Sequence, residues 1–316
     1  MRVGVTGATG FVGGHACRAL VAAGHEVLGL ARSVPADDVR VPGVTYVGGV
    51  DVTAAADASA PLADRLAGCD AVVHLVGIIA EVPSRGQTFE RVHVGGTRNL
   101  VDAARRSGVS ARFVYVSALG AAANAPSDYG RTKAAAEQIV RDAGIPFTIF
   151  RPSIILGPGA EFLEQIEALI RRPPGAPFPL PFVPLPGRGA NRFQPVHVDD
   201  LTACIVRCLE NPAAENQLYE IGGNSEVTFN ALVEAVQRQI GVKKPLLHVP
   251  LPLMFPAAAA LEALLPRPPV TTDQLLNLRQ DNVCDNVPVR AAFGIDPLPF
   301  EQALDRVYAS RAAPDR

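Results

Sequence analysis

The chain is poor in the features that mark several functional classes. Its five cysteines, Cys17, Cys69, Cys204, Cys208 and Cys284, form no C-x-x-C pair and show no metal-ligand spacing. No metal site is expected, and a reducing cytoplasm fits them. Cys204 and Cys208 lie four apart on an expected helix, where small buried side chains suffice to explain them. Formal net charge is −2, and Lys and Arg are scattered rather than clustered, so the electrostatics give no argument for nucleic acid. No apolar run reaches the roughly 18 residues of a spanning helix, and no transmembrane segment is expected. The first residues enter an apolar strand directly, so no signal peptide is expected either. These absences fit a cytoplasmic protein, or one peripheral to a membrane.

What is present is material for a core. Of 316 residues, 48% are hydrophobic, enough for one large α/β domain or a domain with a smaller lobe. The chain is organised around residues 1–32, which read as strand, Gly-rich turn, helix, strand. Arg2–Thr6 is apolar; Gly7, Gly10 and Gly13 follow; Phe11–Ala23 has helical periodicity that Gly24 stops; Glu26–Leu30 is a second buried strand. Glycines at such a turn let backbone N–H groups approach a pyrophosphate, and the helix points its positive end at the same anion. The spacing G-x-x-G-x-x-G is one residue longer in its first gap than the general dinucleotide fingerprint. An acid at the end of the second strand would accept the 2′-hydroxyl of NAD. This chain has Leu30, Ala31, Arg32 and Ser33 there. A guanidinium at Arg32 presents paired donors to a 2′-phosphate, which favours NADP(H), with NAD(H) as the alternative.

The rest of the chain continues the alternation. Val44–Val47 is a third strand, and Asp51 after it is placed either to face the adenine amino group or to cap the helix that ends near Leu66. Asp70–Leu75 is an unbroken apolar strand, the pattern of a sheet covered on both faces. Val76 and Gly77 then lie over the expected dinucleotide path; packing alone is the competing explanation for their small size. Thr88–Ser107 reads as one long helix, Arg112–Val116 as a strand ending at Ser117, Asp128–Ala143 as a helix and Pro146–Phe150 as a sixth strand. Strands alternating with helices imply right-handed crossovers and a parallel sheet. The expected fold class is α/β, a Rossmann-type doubly wound parallel sheet with a smaller C-terminal substrate lobe. Residues 1–152 form the dinucleotide-binding domain on this reading, and 153–316 a lid lobe partly interleaved with the main sheet.

Tyr129 and Lys133 lie four apart on one helical face. An ammonium beside a phenol favours the ionised phenol, which suits acid/base work near neutral pH. Further on, Pro173–Pro186 is thick with proline and reads as an extended surface loop. Arg192–Val196 and Leu218–Ile221 read as strands, His197–Asp200 opens a helix through Leu209, Thr228 caps a helix to Ile240, and Thr271 or Thr272 caps another through Leu278. Leu246–Leu265 is almost uncharged. It is read as a buried or substrate-lining segment in preference to one resting on a membrane or a protein partner, because interfacial helices usually carry basic residues on their polar face.

Taken in order, TGATGFVG at Thr6–Gly13, HLVG at His74–Gly77, YGRTK at Tyr129–Lys133, RPS at Arg151–Ser153 and HVDDL at His197–Leu201 resemble the extended and atypical short-chain dehydrogenase/reductase superfamily. VHVGGTRNLVDAARRSGV, FVYVSALGA, FRPSIILGPG and VTTDQLLNLRQDNV are similar to one branch of it, that of the nucleotide-binding accessory subunit of mitochondrial complex I and its bacterial relatives. The resemblance implies Tyr129 as acid/base, with Lys133 lowering its pKa and holding the nicotinamide ribose. It implies a pyrophosphate held by Gly7, Thr9, Gly10, Phe11, Val12 and Gly13, and a 2′-phosphate held by Arg32. Asp51 and Val52 would flank adenine, Val76 and Gly77 the ribose, and Pro152 and Ile154 the nicotinamide amide. Ser33, Leu75 and Val116 complete the expected cofactor-binding set. One departure matters: the family's catalytic Ser or Thr falls at Leu119, while Ser117, the remaining hydroxyl candidate, lies behind the site unless the loop shifts.

Three functions compete at this point. The first is an NADP(H)-dependent oxidoreductase acting on an apolar carbonyl or quinone-like molecule, with Tyr129, Lys133 and Ser117 as catalytic candidates. The second, motivated by Leu119, is a cofactor-binding structural, sensory or assembly protein that presents its C-terminal lobe to a protein partner. The third is a nucleotide-sugar epimerase or dehydratase, for which Leu246–Leu265 is too apolar.

Overall fold

The computed structural model describes residues 1–54, 59–173, 178–265, 268 and 270–312. The first elements are β1 (Arg2–Thr6), α1 (Phe11–Ala22), β2 (Glu26–Leu30), β3 (Val44–Val47), α2 (Ser59–Arg65), β4 (Ala71–His74) and α3 (Gly96–Ser107). Next come β5 (Arg112–Val116), α4 (Asp128–Arg141), β6 (Phe147–Pro152), β7 (Ile155–Leu156), α5 (Glu161–Arg171), β8 (Val183–Pro186), β9 (Arg192–Phe193) and β10 (Val196–His197). The chain ends with α6 (Val198–Glu210), β11 (Gln217–Ile221), β12 (Val227–Thr228), α7 (Phe229–Gln239), β13 (Leu246–Val249), α8 (Leu251–Leu264), α9 (Thr272–Asn277), α10 (Val287–Phe293) and α11 (Phe300–Ala312).

Contacts divide these elements into two units. The first comprises Met1–Pro152, Val198–Ile221 and Asp285–Asp296; the second comprises Ser153–His197, Gly222–Cys284 and Pro297–Arg316. The first unit is built on seven strands in the order β11-β6-β5-β4-β1-β2-β3, every neighbouring pair parallel. A parallel sheet must be covered on both faces, which is why β4 is AVVH with no exposed residue. The chain runs outward from β1 to β3 and returns to pair β4 on the other side of β1. That reversal opens a crevice at the carboxyl ends of β1 and β4. One face of the sheet packs Leu100, Val101, Phe113, Tyr115, Val140 and Ile149 into a single cluster.

Two differences from the sequence reading lie in this unit. The expected helix Thr88–Ser107 opens with a π-helical stretch, Glu90–Gly95, before α3. The wider turn buries Val92, His93 and Val94 in succession, which the 3.6-residue period of an α-helix does not. Asp51 Oδ1 accepts the Thr53 N–H at 2.9 Å and the Thr53 hydroxyl at 2.8 Å; residues 55–58, which lead into α2, lie outside the described residues, and the expectation that Asp51 caps that helix falls on them. The second difference is α10, which no sequence signal announced. Phe293 packs edge-on against Tyr219 at 4.7 Å and beside Phe150 at 5.7 Å, Asn211 donates its amide to the Ala292 carbonyl at 2.8 Å, and Arg207 bonds the Phe293 carbonyl.

The second unit has three two-stranded ribbons: β7 with β10, β9 with β12, and β8 with β13. The proline-rich stretch is therefore not loop throughout: residues 174–177 lie outside the described residues, but Val183–Pro186 forms β8, parallel to β13. Val183 N donates to Pro245 O and Gly187 N to Val249 O. Donation at these alternating positions leaves Pro184 and Pro186 where no N–H is needed, the tolerance that confines proline to edge strands. Thr271 forms a capping box with Gln274 at the start of α9, and Thr228 caps α7. The reading of Leu246–Leu265 as buried is overturned: α8 buries one residue, Ala258, and exposes Leu253 and Leu264. Among the described residues no helix is long and apolar enough to cross a membrane.

Since α10 completes the apolar core beside β6 and β11, Phe293→Ala is expected to cost roughly 3–5 kcal/mol. Urea unfolding of the variant checks this, and a loss below about 1 kcal/mol, the scale of an exposed site, would mean that α10 is peripheral to the core.

Candidate functional site

The turn after β1 assigns each glycine its own reason. Gly7 has φ +72°, and a Cβ there would lie 3.2 Å from the carbonyl carbon of Leu75 and 3.3 Å from Val76 N. β1 and the segment after β4 thus meet backbone to backbone at the crevice. Gly10 N donates to Gly7 O at 2.9 Å and closes the turn. Gly13 sits in the first turn of α1, where a Cβ would come within 1.9 Å of Gly7 O, so only glycine lets the helix approach the strand this closely. No side chain caps the N-terminus of α1. Thr9 and Gly10 are exposed, while Phe11 and Val12 are half-buried. The arrangement leaves backbone N–H groups at a helix start facing outward, the chemistry that holds a phosphate.

At the end of β2, Arg32 and Ser33 are exposed. Among the described residues the Arg32 guanidinium has no hydrogen bond or ion pair, so its donors are available to an anion. The loop after β3 is tied to this end by Gly49 N to Arg32 O and Val50 N to Ala31 O, both 3.0 Å. Val52 is buried in the core. The Asn99 amide donates to Val52 O at 2.9 Å and to Ala54 O at 3.0 Å, and Arg91 Nε to Thr53 O at 3.0 Å. Three successive carbonyls are therefore held by side chains from the helix that leads into and forms α3.

The other half of the site is built on α4, whose N-cap Ser127 accepts from Gly130 N. Lys133 is buried, and its Nζ donates to Val116 O at 3.1 Å and lies 5.2 Å from the Tyr115 ring centroid. A Cβ on Gly77 would be 3.3 Å from that Nζ and 3.7 Å from His93 Nε2. Burial pushes the Lys133 ammonium down to about 8, with Glu137 pulling the other way. Half-buried Tyr129 meets Phe89 edge-on at 5.7 Å and His93 at 5.5 Å. His93 bonds Thr132 Oγ1 through Nδ1 at 3.0 Å and the Ile78 backbone through Nε2. Burial first, and the Lys133 charge second, push His93 down to about 2, so it is neutral at working pH. Behind it His74 lies between Thr6 and Thr97 hydroxyls and is pushed down to about 3, again mainly by burial.

The structure brings the expected residues together in two groups: Gly7, Gly10, Gly13, Leu75 and Val76 at the turn, and Gly77, Val116 and Lys133 beside Tyr129. Ser117 is buried and donates its hydroxyl to Glu137 Oε1 at 2.6 Å. Glu137 also takes both arms of Arg151 at 2.8 Å. Half-buried Leu119 donates its N–H to the carbonyl of buried Pro152 at 3.0 Å. Ile154 belongs to the second unit, where its carbonyl accepts Val196 N at 2.9 Å. His93, Asn99 and Glu137 were missed as site-building residues. The available signal was a polar residue at a buried helical position: the histidine of V-H-V, and an acid one turn beyond Lys133.

A seven-stranded parallel sheet that reverses at β1 and β4, with a triple-glycine turn at the reversal, defines a Rossmann-type α/β protein. The chain belongs to the NAD dependent epimerase/dehydratase family, whose family model matches residues 3–222. It is 30% identical over 220 residues to the Arabidopsis thaliana mitochondrial protein NADH dehydrogenase (ubiquinone) 1 alpha subcomplex subunit 9, a match covering 69% of this chain and 52% of that protein. The chain thus spans about half the length of this relative. It is 33% identical over 270 residues to a ceramide reductase of Caulobacter vibrioides, covering 83% of this chain and 77% of the relative. Its fold matches the dTDP-glucose 4,6-dehydratase DesIV of Streptomyces venezuelae, solved with NAD bound, at a TM-score of 0.71 and 23% identity over 98% of this chain and 96% of that one.

Lys133 generates a pH prediction. Its folded pKa of about 8 lies below the ordinary 10.5, so between those values the unfolded chain holds a proton that the folded chain has released. Stability then rises with pH across that window and is flat below it. Comparison with Lys133→Met, which cannot titrate, should isolate a rise of up to about 3 kcal/mol. Parallel curves for the two proteins between pH 8 and 10.5 would show that the ammonium is not desolvated.

Proposed function

We propose that the chain is an NADP(H)-preferring oxidoreductase of the short-chain dehydrogenase type, acting on an apolar carbonyl or quinone-like compound. The observation that carries this reading is Lys133: its buried ammonium is fixed on the Val116 carbonyl, beside Gly77 and one helical turn from Tyr129. The residues present fit a dinucleotide. The uncapped start of α1 would receive the pyrophosphate, and Arg32, whose donors are unclaimed among the described residues, would pair with a 2′-phosphate. When bound, the nicotinamide supplies or accepts hydride.

The chain's own residues then do the rest. Tyr129 exchanges a proton at its phenol oxygen. Lys133 favours the phenolate electrostatically. Phe89 and His93 pack on the Tyr129 ring and fix its direction. His93 adds no charge, since it stays neutral. Ser117 serves α4 through Glu137 rather than touching substrate, and Leu119 offers no hydroxyl to a carbonyl oxygen. Among the described residues, Tyr129 is the proton donor this reading assigns to that oxygen. The name of the Caulobacter relative supports an apolar carbonyl substrate; exposed α8 does not, so the substrate class rests on that likeness.

Leu119 favours a second reading, a cofactor-binding structural or assembly protein with little turnover, and the name of the Arabidopsis relative agrees with it. Titration calorimetry with NADPH and NADH separates the possibilities at the level of binding. NADPH is expected to bind about tenfold more tightly or better, roughly 1.4 kcal/mol, and Arg32→Ala to erase the difference. Equal affinities in the wild type would remove the NADP assignment. In a panel of apolar ketones and quinones, Tyr129→Phe is expected to lower NADPH-dependent turnover at least ~100-fold. Tight cofactor binding with no turnover by either protein would establish the second reading instead.

A further inference from the structure

We infer that α8 and the β8–β13 ribbon leading into it form a docking face for an anionic lipid surface. Single exposed leucines are ordinary on protein surfaces, but α8 is not a case of single leucines. It has 14 residues and buries only Ala258. Leu253 is 67% exposed, Leu264 78%, and Leu265 just beyond it 42%. On β13, Leu247 adds 47%, and Phe178, ahead of β8 in the chain, is 73% exposed. The one charged residue in α8, Glu262, bonds Thr272 of the same unit: its Oε1 accepts the Thr272 N–H at 2.9 Å, and both carboxylate oxygens lie within 3.2 Å of the Thr272 hydroxyl. Glu262 is exposed and is the single charge on the helix. Fourteen residues span about 21 Å, short of the ~30 Å of a bilayer core, so such a helix lies in the interface and does not cross it.

Charge selects the occupant. Residues 178–191 and 241–261 contain no Asp or Glu, and their cations are Arg188, Lys243 and Lys244. Lys244 Nζ donates to the last carbonyls of α5, Ile170 O at 2.7 Å and Arg171 O at 3.1 Å. That contact gathers Lys243 and Lys244 with Arg171 and Arg172 where the chain enters β13. Cations of this kind are drawn to anionic headgroups, while exposed leucines enter the headgroup–acyl boundary. A second copy of the chain would satisfy the leucines, but a two-fold contact over this face would bring cationic edge toward cationic edge. An acidic protein would satisfy the cations and leave the apolar helix uncovered. An anionic bilayer answers both at once. The basic residues that the α8 sequence lacks are supplied from α5 and from the start of β13.

The test is co-sedimentation of the full chain with vesicles of phosphatidylcholine alone and of phosphatidylcholine mixed with phosphatidylglycerol. Binding is expected to the mixed vesicles and to weaken severalfold as salt is raised. The double variant Leu253→Asp/Leu264→Asp should lose binding with its melting temperature and dinucleotide affinity unchanged, because both side chains are exposed. Lys243→Glu should lose only the preference for anionic vesicles. The proposal is overturned if the wild type ignores both vesicle types, if it binds neutral vesicles equally well, or if the leucine variant still sediments. It is overturned equally if light scattering shows a dimer that the leucine variant disperses while vesicles stay unbound.

Discussion

The first unit depends on one buried carboxylate. Glu137 sits on α4 almost out of reach of water, where an unpaired charge would cost several kcal/mol. Its oxygens are answered by the Ser117 hydroxyl and by both arms of Arg151, and that paired geometry holds the Arg151 guanidinium firmly protonated. Ser117 follows β5 and Arg151 lies in β6, so one carboxylate locks α4 to two central strands of the sheet. The further contact of Arg151 with half-exposed Glu220 on β11, at 3.5 Å, adds little by comparison. What the lock fixes is the rotation of α4 about its own axis. Lys133 lies one turn before Glu137 and Tyr129 two turns before it, so their facing follows from the same constraint. Breaking one side of the network would leave a charge buried without its partner, the costly half of the asymmetry.

The lock also explains the hydroxyl at 117. Ser117 is the first residue past β5, still bonded to β6 through its N–H to Phe150 O, and Leu119 continues the pairing to Pro152 O. The strand end is held straight, and the serine side chain falls on the α4 side, where Glu137 claims it. No shift of the loop is needed to account for the serine, and none is favoured, since it would abandon two backbone bonds and the carboxylate together.

Much of this was legible in residues that satisfy local rules. The strands β1, β2, β4 and β5 are short apolar runs because a parallel sheet buries both faces. Gly7 and Gly13 are glycine because backbone occupies the space a Cβ would take, and Thr228 and Thr271 cap their helices within three residues. The illegible parts depend on distant partners. α10 exists because Phe293 finds Tyr219 and Phe150, a contact spanning more than seventy residues that leaves no periodic trace in VPVRAAF. β8 looked like loop because its prolines fall at the positions that need no donor, a fact fixed only by the register against β13. α8 looked buried because hydropathy reports what a segment is made of, not which side faces water. Glu137 was invisible as a site residue because an acid on a helix is normally solvated; only Arg151 and Ser117 reveal that it is not.

The two halves of the candidate site rest on a single helical layer. Asn99 on α3 and Arg91 just before it hold the carbonyls of residues 52, 53 and 54, which gives the loop after β3 a defined shape without any ladder of its own. Phe89 and His93, from the same helical segment, pack on Tyr129, and His93 bonds Thr132 on α4. α3 and α4 also pack directly against each other. A displacement of α3 would therefore be felt at both ends of the site together. The exception is the Arg32 side chain, which is exposed and bonded to nothing among the described residues. Geometry is rigid where proton transfer would need it, and the residue proposed to choose between two dinucleotides is the one whose replacement disturbs no packing. On the proposed function, cofactor preference is thus separable from the fold, whereas the proposed acid/base pair is not.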